Sequence, residues 1–192
     1  MDGKIKLVIF DLDETIVVNE ISFSEIRKKV LEEIGCKEKP LHLYEFLRDK
    51  GEEYVKLLEK YEVWRAKHAK VVSSLPHIIE FLKERGIKVA VLTRNSRKAA
   101  LLALGKYVSL FDDIITRDDG FEPKPSADPI IHLLKKYGAR GENCIVVGDY
   151  EYDIIAGKNA GCITVRVGEG SGDYRISKID ELLNLLNELN SL

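Results

Sequence analysis

Five short apolar runs rich in Ile and Val punctuate the chain: Ile5 to Phe10, Lys88 to Thr93, Asp113 to Thr116, Cys144 to Gly148 and Ile163 to Val167. They are continuous rather than alternating, the pattern of strands covered on both faces. Helical spacing fills the intervals between the later runs. "SSLPHIIEFLKERG" places Ile78, Ile79 and Leu82 on one face with Gly86 as a stop, and "DPIIHLLKKYG" carries Pro129 in its first turn and Gly138 after its last. Alternating strands and helices predict an α/β fold with a parallel sheet, whose ligands belong at the carboxyl ends of the strands. Lys178 to Leu189 reads as a final helix packed on that sheet.

From about Val18 to Val72 the rhythm breaks. No strand signal is visible there, only two amphipathic patterns, Ile26/Val30/Ile34 and Tyr54/Leu57/Leu58/Tyr61/Trp64/His68, separated by "CKEKP". The chain therefore divides into a core, 1–17 with 73–192, and a helical insertion, 18–72. An insertion directly after the first strand stands over the rim where that strand ends, which suggests a cap. A decorative helical hairpin is the alternative.

Composition narrows the partners. Charged residues are 32% of the 192 residues but almost cancel, leaving a net charge of -2, and no basic patch interleaved with aromatics occurs. A small-molecule ligand is expected, not nucleic acid. No apolar run approaches the ~18 residues of a membrane span, and the amino end lacks a signal-peptide pattern, so a soluble cytoplasmic protein is expected. Cys36, Cys144 and Cys162 are widely spaced and form no zinc-ligand pattern, and reduced thiols are expected. The chain has no Gln, a single Met and abundant Lys and Glu, a composition that fits a heat-adapted source.

The candidate chemistry begins at "LVIFDLDETIV", where the first strand runs into Asp11 and Asp13. In an extended segment residues two apart point the same way, and two converging carboxylates resist joint ionisation unless a cation compensates. A hard divalent ion such as Mg²⁺ with a phosphate ligand meets that need. The second strand ends in "VLTRNS", offering the Thr93 hydroxyl, Arg94 and Asn95 to phosphate oxygens. "EPKPS" stiffens Lys124 between prolines, and "VVGDYEYDIIAG" adds Asp149 and Asp153 after a glycine turn. Each element alone has a plain structural explanation. Four in succession at strand ends point to one site.

In these elements the sequence resembles the haloacid dehalogenase superfamily, whose DxDxT, strand-end Thr or Ser, Lys and GDxxxD motifs match Asp11/Asp13/Thr15, Thr93, Lys124 and Asp149/Asp153. "GDYEYDIIAGKNAG" is similar to the subgroup of phosphoglycolate phosphatases. The resemblance implies a Rossmann-like three-layer α/β/α core with a parallel five-stranded sheet and a small all-helical cap inserted after strand 1. It further implies an Mg²⁺-dependent phosphomonoester hydrolase: Asp11 as nucleophile, Asp13 as acid and base, Thr93 and Lys124 against the phosphoryl oxygens, and the metal among Asp11, Asp13, Asp149 and Asp153. The chain departs from many members at Glu14, where they have Gly, and at Val18 and Asn19, where they have Asp-Ser.

The substrate is expected to be a small phosphate ester, phosphoglycolate first. Arg27, Arg48, Arg65 and Lys67 are the cap's basic candidates for its carboxylate, each weighed against an ordinary solvated charge. Glu20 resembles a substrate-contacting Glu of phosphoserine phosphatases, which keeps phosphoserine as an alternative; the other reading is a helix-initial acid. A phosphotransferase or sugar-phosphate mutase with the same nucleophile ranks behind hydrolysis because Thr15 follows the hydrolase pattern. "GEGSGD", Gly168 to Asp173, lacks GK[ST] and reads as a flexible connection, and His42, His68, His77 and His132 read as packing or surface residues. Monomer and homodimer both remain open.

Overall fold

The computed structural model describes residues 4–190. Its main sheet contains six strands: β1 (Leu7–Phe10), β4 (Lys88–Leu92), β5 (Asp113–Ile115), β6 (Cys144–Gly148), β7 (Ile163–Val167) and β8 (Tyr174–Ile176), in the order β5-β4-β1-β6-β7-β8. Every pairing in it is parallel. Five of these strands coincide with the five apolar runs. The sixth, β8, corrects the strand count: Gly168 to Asp173 does not simply drift away but doubles back and sets Tyr174–Ile176 beside Val165–Val167. The Asp173 carboxylate accepts bonds from the Thr164 backbone N–H and hydroxyl at 2.8 and 2.7 Å, pinning the return.

The sheet is covered on both faces, as continuous apolar strands demand. Val8 and Phe10 of β1 join one cluster with residues of α4 (Leu75–Glu84), α5 (Arg97–Leu104) and α8 (Leu182–Asn190). Leu7 and Ile9 point the other way, into a cluster with α6 (Asp128–Lys136) and α7 (Glu151–Asn159). All four β1 side chains are fully buried, and the strand therefore anchors both layers.

Two short strands, β2 (Val17–Asn19) and β3 (Ala69–Val71), pair antiparallel and bracket residues 20–68. They correct the expectation of a strandless insertion. Within the bracket lie three helices rather than two: α1 (Phe23–Glu33), α2 (Leu43–Lys50) and α3 (Glu52–Ala66). Ser22 caps α1 by accepting from the Glu25 N–H at 3.2 Å. Gly51, at φ 140, joins α2 and α3 in a conformation that L side chains rarely adopt, so the tight corner needs glycine. The three helices bury a cluster of their own, including Ile26, Val30, Leu47 and Leu58.

Candidate active site

β1 is the centre of the site because it lies between β4 and β6, where the order of the sheet reverses. Phe10 is in register with Val91 and Val147, so Asp11, Thr93 and Asp149 emerge within a residue or two of one another at the carboxyl rim. The Asp11 N–H still donates to Val147 O at 2.8 Å, which holds the residue in line with the strand it has just left.

Lys124 arrives from the loop after β5 and enters between these ends. Its ammonium donates to Asp11 Oδ1 at 2.5 Å, Asp153 Oδ1 at 2.5 Å and the Leu92 carbonyl at 2.8 Å. Burial works against the charge on Lys124, but Asp11 and Asp153 outweigh it and hold the ammonium above the usual lysine range. Carboxylate oxygens of Asp11, Asp149 and Asp153 lie within 4.8 Å of one another. Burial pushes the Asp11 carboxyl well above the ordinary range, with Asp153 adding to the shift and Lys124 opposing it. Burial, then Asp153, likewise pushes Asp149 up to about 6.

One lysine thus stands among three carboxyl groups, two of which, Asp11 and Asp149, are raised first by burial and then by Asp153. Three oxygen donors around an under-compensated point fit a hard divalent cation such as Mg²⁺. The backbone is shaped to this cluster. A Cβ on Gly148 would lie 2.3 Å from Asp153 Cγ, so only glycine lets Asp153 reach Lys124. The other Asp153 oxygen accepts from the Tyr150 N–H at 3.1 Å, which ties the acid to the first turn of α7.

The Asp13 carboxylate is outside this cluster and has separate partners. Asn19 and Arg65 reach Oδ1 at 2.8 and 3.0 Å, and Asn95 reaches Oδ2 at 2.7 Å. Arg65, only 5% exposed on α3, also donates to the Ile21 carbonyl at 2.8 Å and lies 3.3 Å from Glu14 Oε1. Glu14 itself takes a positive φ of 56, the conformation for which many resembling sequences use glycine. Thr93 is 4% exposed, and its Oγ1 accepts from the Asn95 N–H at 3.2 Å.

Above these groups lies a cavity of about 340 Å³ roofed by the helical insertion. Arg94 donates to the Lys124 carbonyl and, at 2.6 Å, to Glu45 of α2. Arg117, just after β5, forms a bidentate pair with Glu62 of α3 at 2.6 and 2.9 Å and lies 4.7 Å from the centre of the Tyr44 ring. His42 Nδ1 is 2.7 Å from the Tyr152 hydroxyl on α7.

The structure brings Asp11, Asp13, Thr93, Arg94, Asn95, Lys124, Asp149 and Asp153 to this cavity, as their strand-end positions predict. It does not bring Glu20. That residue follows β2 and pairs with Lys70 of β3 at 2.6 Å, because the antiparallel ribbon sets the two segments side by side. His42 is exposed, as a surface residue should be, and it also lines the cavity. Glu62 and Arg117 join the cavity wall without any motif to mark them. Arg117 did carry a signal: like Thr93, it stands where a parallel strand ends.

Comparison with known proteins identifies the family and the fold. Residues 8–167 match the profile of the haloacid dehalogenase-like hydrolases, and the chain belongs to that family. Among its relatives, the pyrophosphatase PpaX of Halalkalibacterium halodurans is 30% identical over 215 residues, covering 95% of this chain and 97% of that protein. The phosphoglycolate phosphatase of Aquifex aeolicus is 28% identical over 206 residues, again covering 95% and 97%. A HAD phosphatase structure from Thermococcus onnurineus superposes with a TM-score of 0.70 at 22% identity, over 95% of this chain and 98% of that one. Bacillus subtilis YfnB, whose structure is bound to magnesium, gives 0.70 at 18% identity over 96% and 99%. Among the described residues no helix is long and apolar enough to cross a membrane.

Proposed function

We propose that the protein is an Mg²⁺-dependent phosphatase that hydrolyses small phosphate esters, phosphoglycolate-like in size, through an aspartyl-phosphate on Asp11. The observation that carries this reading is the Lys124 ammonium held 2.5 Å from both Asp11 and Asp153 at the rim shared by β1 and β6. A carboxylate fixed beside a cation can attack phosphorus without a separate base, dividing one hard displacement into two easier ones. In this reading Lys124 neutralises charge on the phosphoryl oxygens and the Thr93 hydroxyl donates a hydrogen bond to them.

Asp13, held apart from the acidic cluster by its Asn and Arg partners, protonates the leaving oxygen and then deprotonates the hydrolytic water. Asp11, Asp149 and the main-chain carbonyl of Asp13 would hold Mg²⁺, with Asp153 orienting Lys124 and the metal's waters. When bound, the ion supplies Lewis-acid withdrawal of charge from the transferring group. Residues 18–72 act as the cap and 1–17 with 73–192 as the core, the cap restricting the cavity to small molecules and excluding bulk water.

The names of the relatives favour phosphoglycolate and pyrophosphate as substrates. The Glu20–Lys70 pair disfavours phosphoserine, since the acid that would meet its ammonium is engaged elsewhere. The test is release of phosphate from p-nitrophenyl phosphate with and without Mg²⁺. Activity that requires the metal and is lost in Asp11→Asn supports the reading; metal-independent turnover, or turnover retained in the variant, rejects it.

A further inference from the structure

Four arginines line the cavity: Arg27, Arg65, Arg94 and Arg117. Three are already committed to carboxylates. Arg65 lies 3.0 Å from Asp13 and 3.3 Å from Glu14, Arg94 reaches Glu45 at 2.6 Å, and Arg117 is clasped by Glu62 at 2.6 Å. Arg27, half-buried on α1, is different. Its one hydrogen bond is a long one, 3.5 Å from Nη1 to the Leu41 carbonyl, and among the described residues no carboxylate pairs with it. A guanidinium carries five N–H donors and its full charge at any ordinary pH. In a partly desolvated wall, such a group is under-used until an anion meets it.

Helix geometry explains how Arg27 comes to face the cavity. Phe23, one turn earlier at i−4, also lines it, so the two share one face of α1. The other basic candidates of the insertion are spoken for or turned away. Arg48 lies 3.7 Å from Asp49 and 3.9 Å from Glu122, and Lys67 is exposed.

The geometry points to Arg27 as the group that selects substrates whose leaving group itself carries negative charge, a carboxylate or a second phosphoryl group. This rests on the phosphatase reading above and deepens it. The transferring phosphoryl group is met by Lys124, Thr93 and the acidic cluster. The opposite end of the substrate meets Arg27, the cavity's uncommitted cation. A cavity of about 340 Å³ lies at the small end of ligand sites, and for a compact substrate one bidentate contact is a large part of recognition.

The experiment compares kcat/KM for pyrophosphate, phosphoglycolate and p-nitrophenyl phosphate in the full-length protein and in Arg27→Ala, Arg27→Lys and Arg27→Glu. A charge-assisted contact is worth roughly a 10- to 100-fold change, so the ratio of an anionic substrate to p-nitrophenyl phosphate should fall by that much in Arg27→Ala. It should fall further in Arg27→Glu and recover in part in Arg27→Lys. A drop confined to phosphoglycolate identifies a carboxylate as the ligand; one confined to pyrophosphate identifies a phosphoryl group. Ratios that stay at the wild-type value in all three variants overturn the inference, as do ratios that fall equally in Lys and Ala. Should the wild-type protein turn over none of the three phosphate compounds, the phosphatase reading fails first.

Discussion

Arg65 Nη1 on α3 lies 3.0 Å from Asp13 Oδ1, linking a buried arginine of the helical insertion to an acid at the end of the first strand. The contact spans the two parts of the molecule and orients the carboxylate to which the proposed function assigns acid and base chemistry. Arg65→Ala is expected to lower kcat by roughly 10- to 100-fold with little change in KM, because it loosens Asp13 and leaves phosphate binding intact. Arg65→Lys should recover only part, since an ammonium cannot reproduce the fork that also serves the Ile21 carbonyl. A rise in KM with unchanged kcat would place Arg65 in ground-state binding instead.

The Glu62–Arg117 pair predicts an effect on stability. Both side chains are nearly inaccessible, at 3% and 2%, and the Ser96 N–H also donates to Glu62 at 3.2 Å. Truncating Glu62 to Ala leaves a buried guanidinium uncompensated, at an expected cost of about 3–5 kcal/mol in urea unfolding. Combining it with Arg117→Ala should cost less than the sum of the two single changes, a coupling that a double-mutant cycle measures. Additive losses would mean that the pair does not act as a unit.

Gly148→Ala isolates the geometry of the acidic cluster without changing any charge. The added methyl would sit 2.3 Å from Asp153 Cγ and 2.4 Å from its Cβ. Relief requires Asp153 to move away from Lys124, so activity is expected to fall about 100-fold or more while the fold survives with about 1–3 kcal/mol of strain. Near-normal turnover would show that Asp153 need not stand where it does.

Acid should weaken the proposed binding of Mg²⁺ and the stability it confers. Burial and then Asp153 raise the Asp149 carboxyl from an ordinary value of 3.8 to about 6. Between those values the native state holds a proton that the unfolded chain releases. Without metal, this group's contribution to stability is therefore present at low pH and is lost as pH rises through about 4 to 6. Mg²⁺ needs the ionised form and reverses the loss. The rise in Tm on adding Mg²⁺ should be large at about pH 7.5 and small at about pH 5. Equal rises at both would separate Asp149 from metal binding.

Much of this was legible in the sequence for a physical reason. β1 is buried on both faces and its apolar run is unbroken, so where it stops is plain, and Asp11 and Asp13 follow directly. Thr93 and Asp149 could be read the same way because parallel strands share one functional rim. Glu62 was not legible: it is a polar residue inside an amphipathic helix, and its partner Arg117 is 55 residues away. Helical periodicity cannot distinguish a solvated acid from one clasped at long range. Glu20 was singled out by its resemblance to a Glu at a similar distance after the first motif of phosphoserine phosphatases, a likeness of spacing that says nothing of the β2–β3 ribbon, which sets it beside Lys70. β3 and β8 each place a charged residue between their apolar positions, and β2 follows so closely on the Asp11–Thr15 segment that it does not stand apart, whereas the equally short β5 keeps Ile114 and Ile115 together.

The most direct test is to find the phosphoryl group itself. Asp13→Ala, given ³²P-labelled p-nitrophenyl phosphate, whose phenolate departs without a proton, together with Mg²⁺ and quenched in acid, should accumulate label that alkaline hydroxylamine removes and that maps to the peptide carrying Asp11, while Asp11→Asn should acquire none. Label on any other peptide, or turnover by Asp11→Asn at the wild-type rate, would contradict the account.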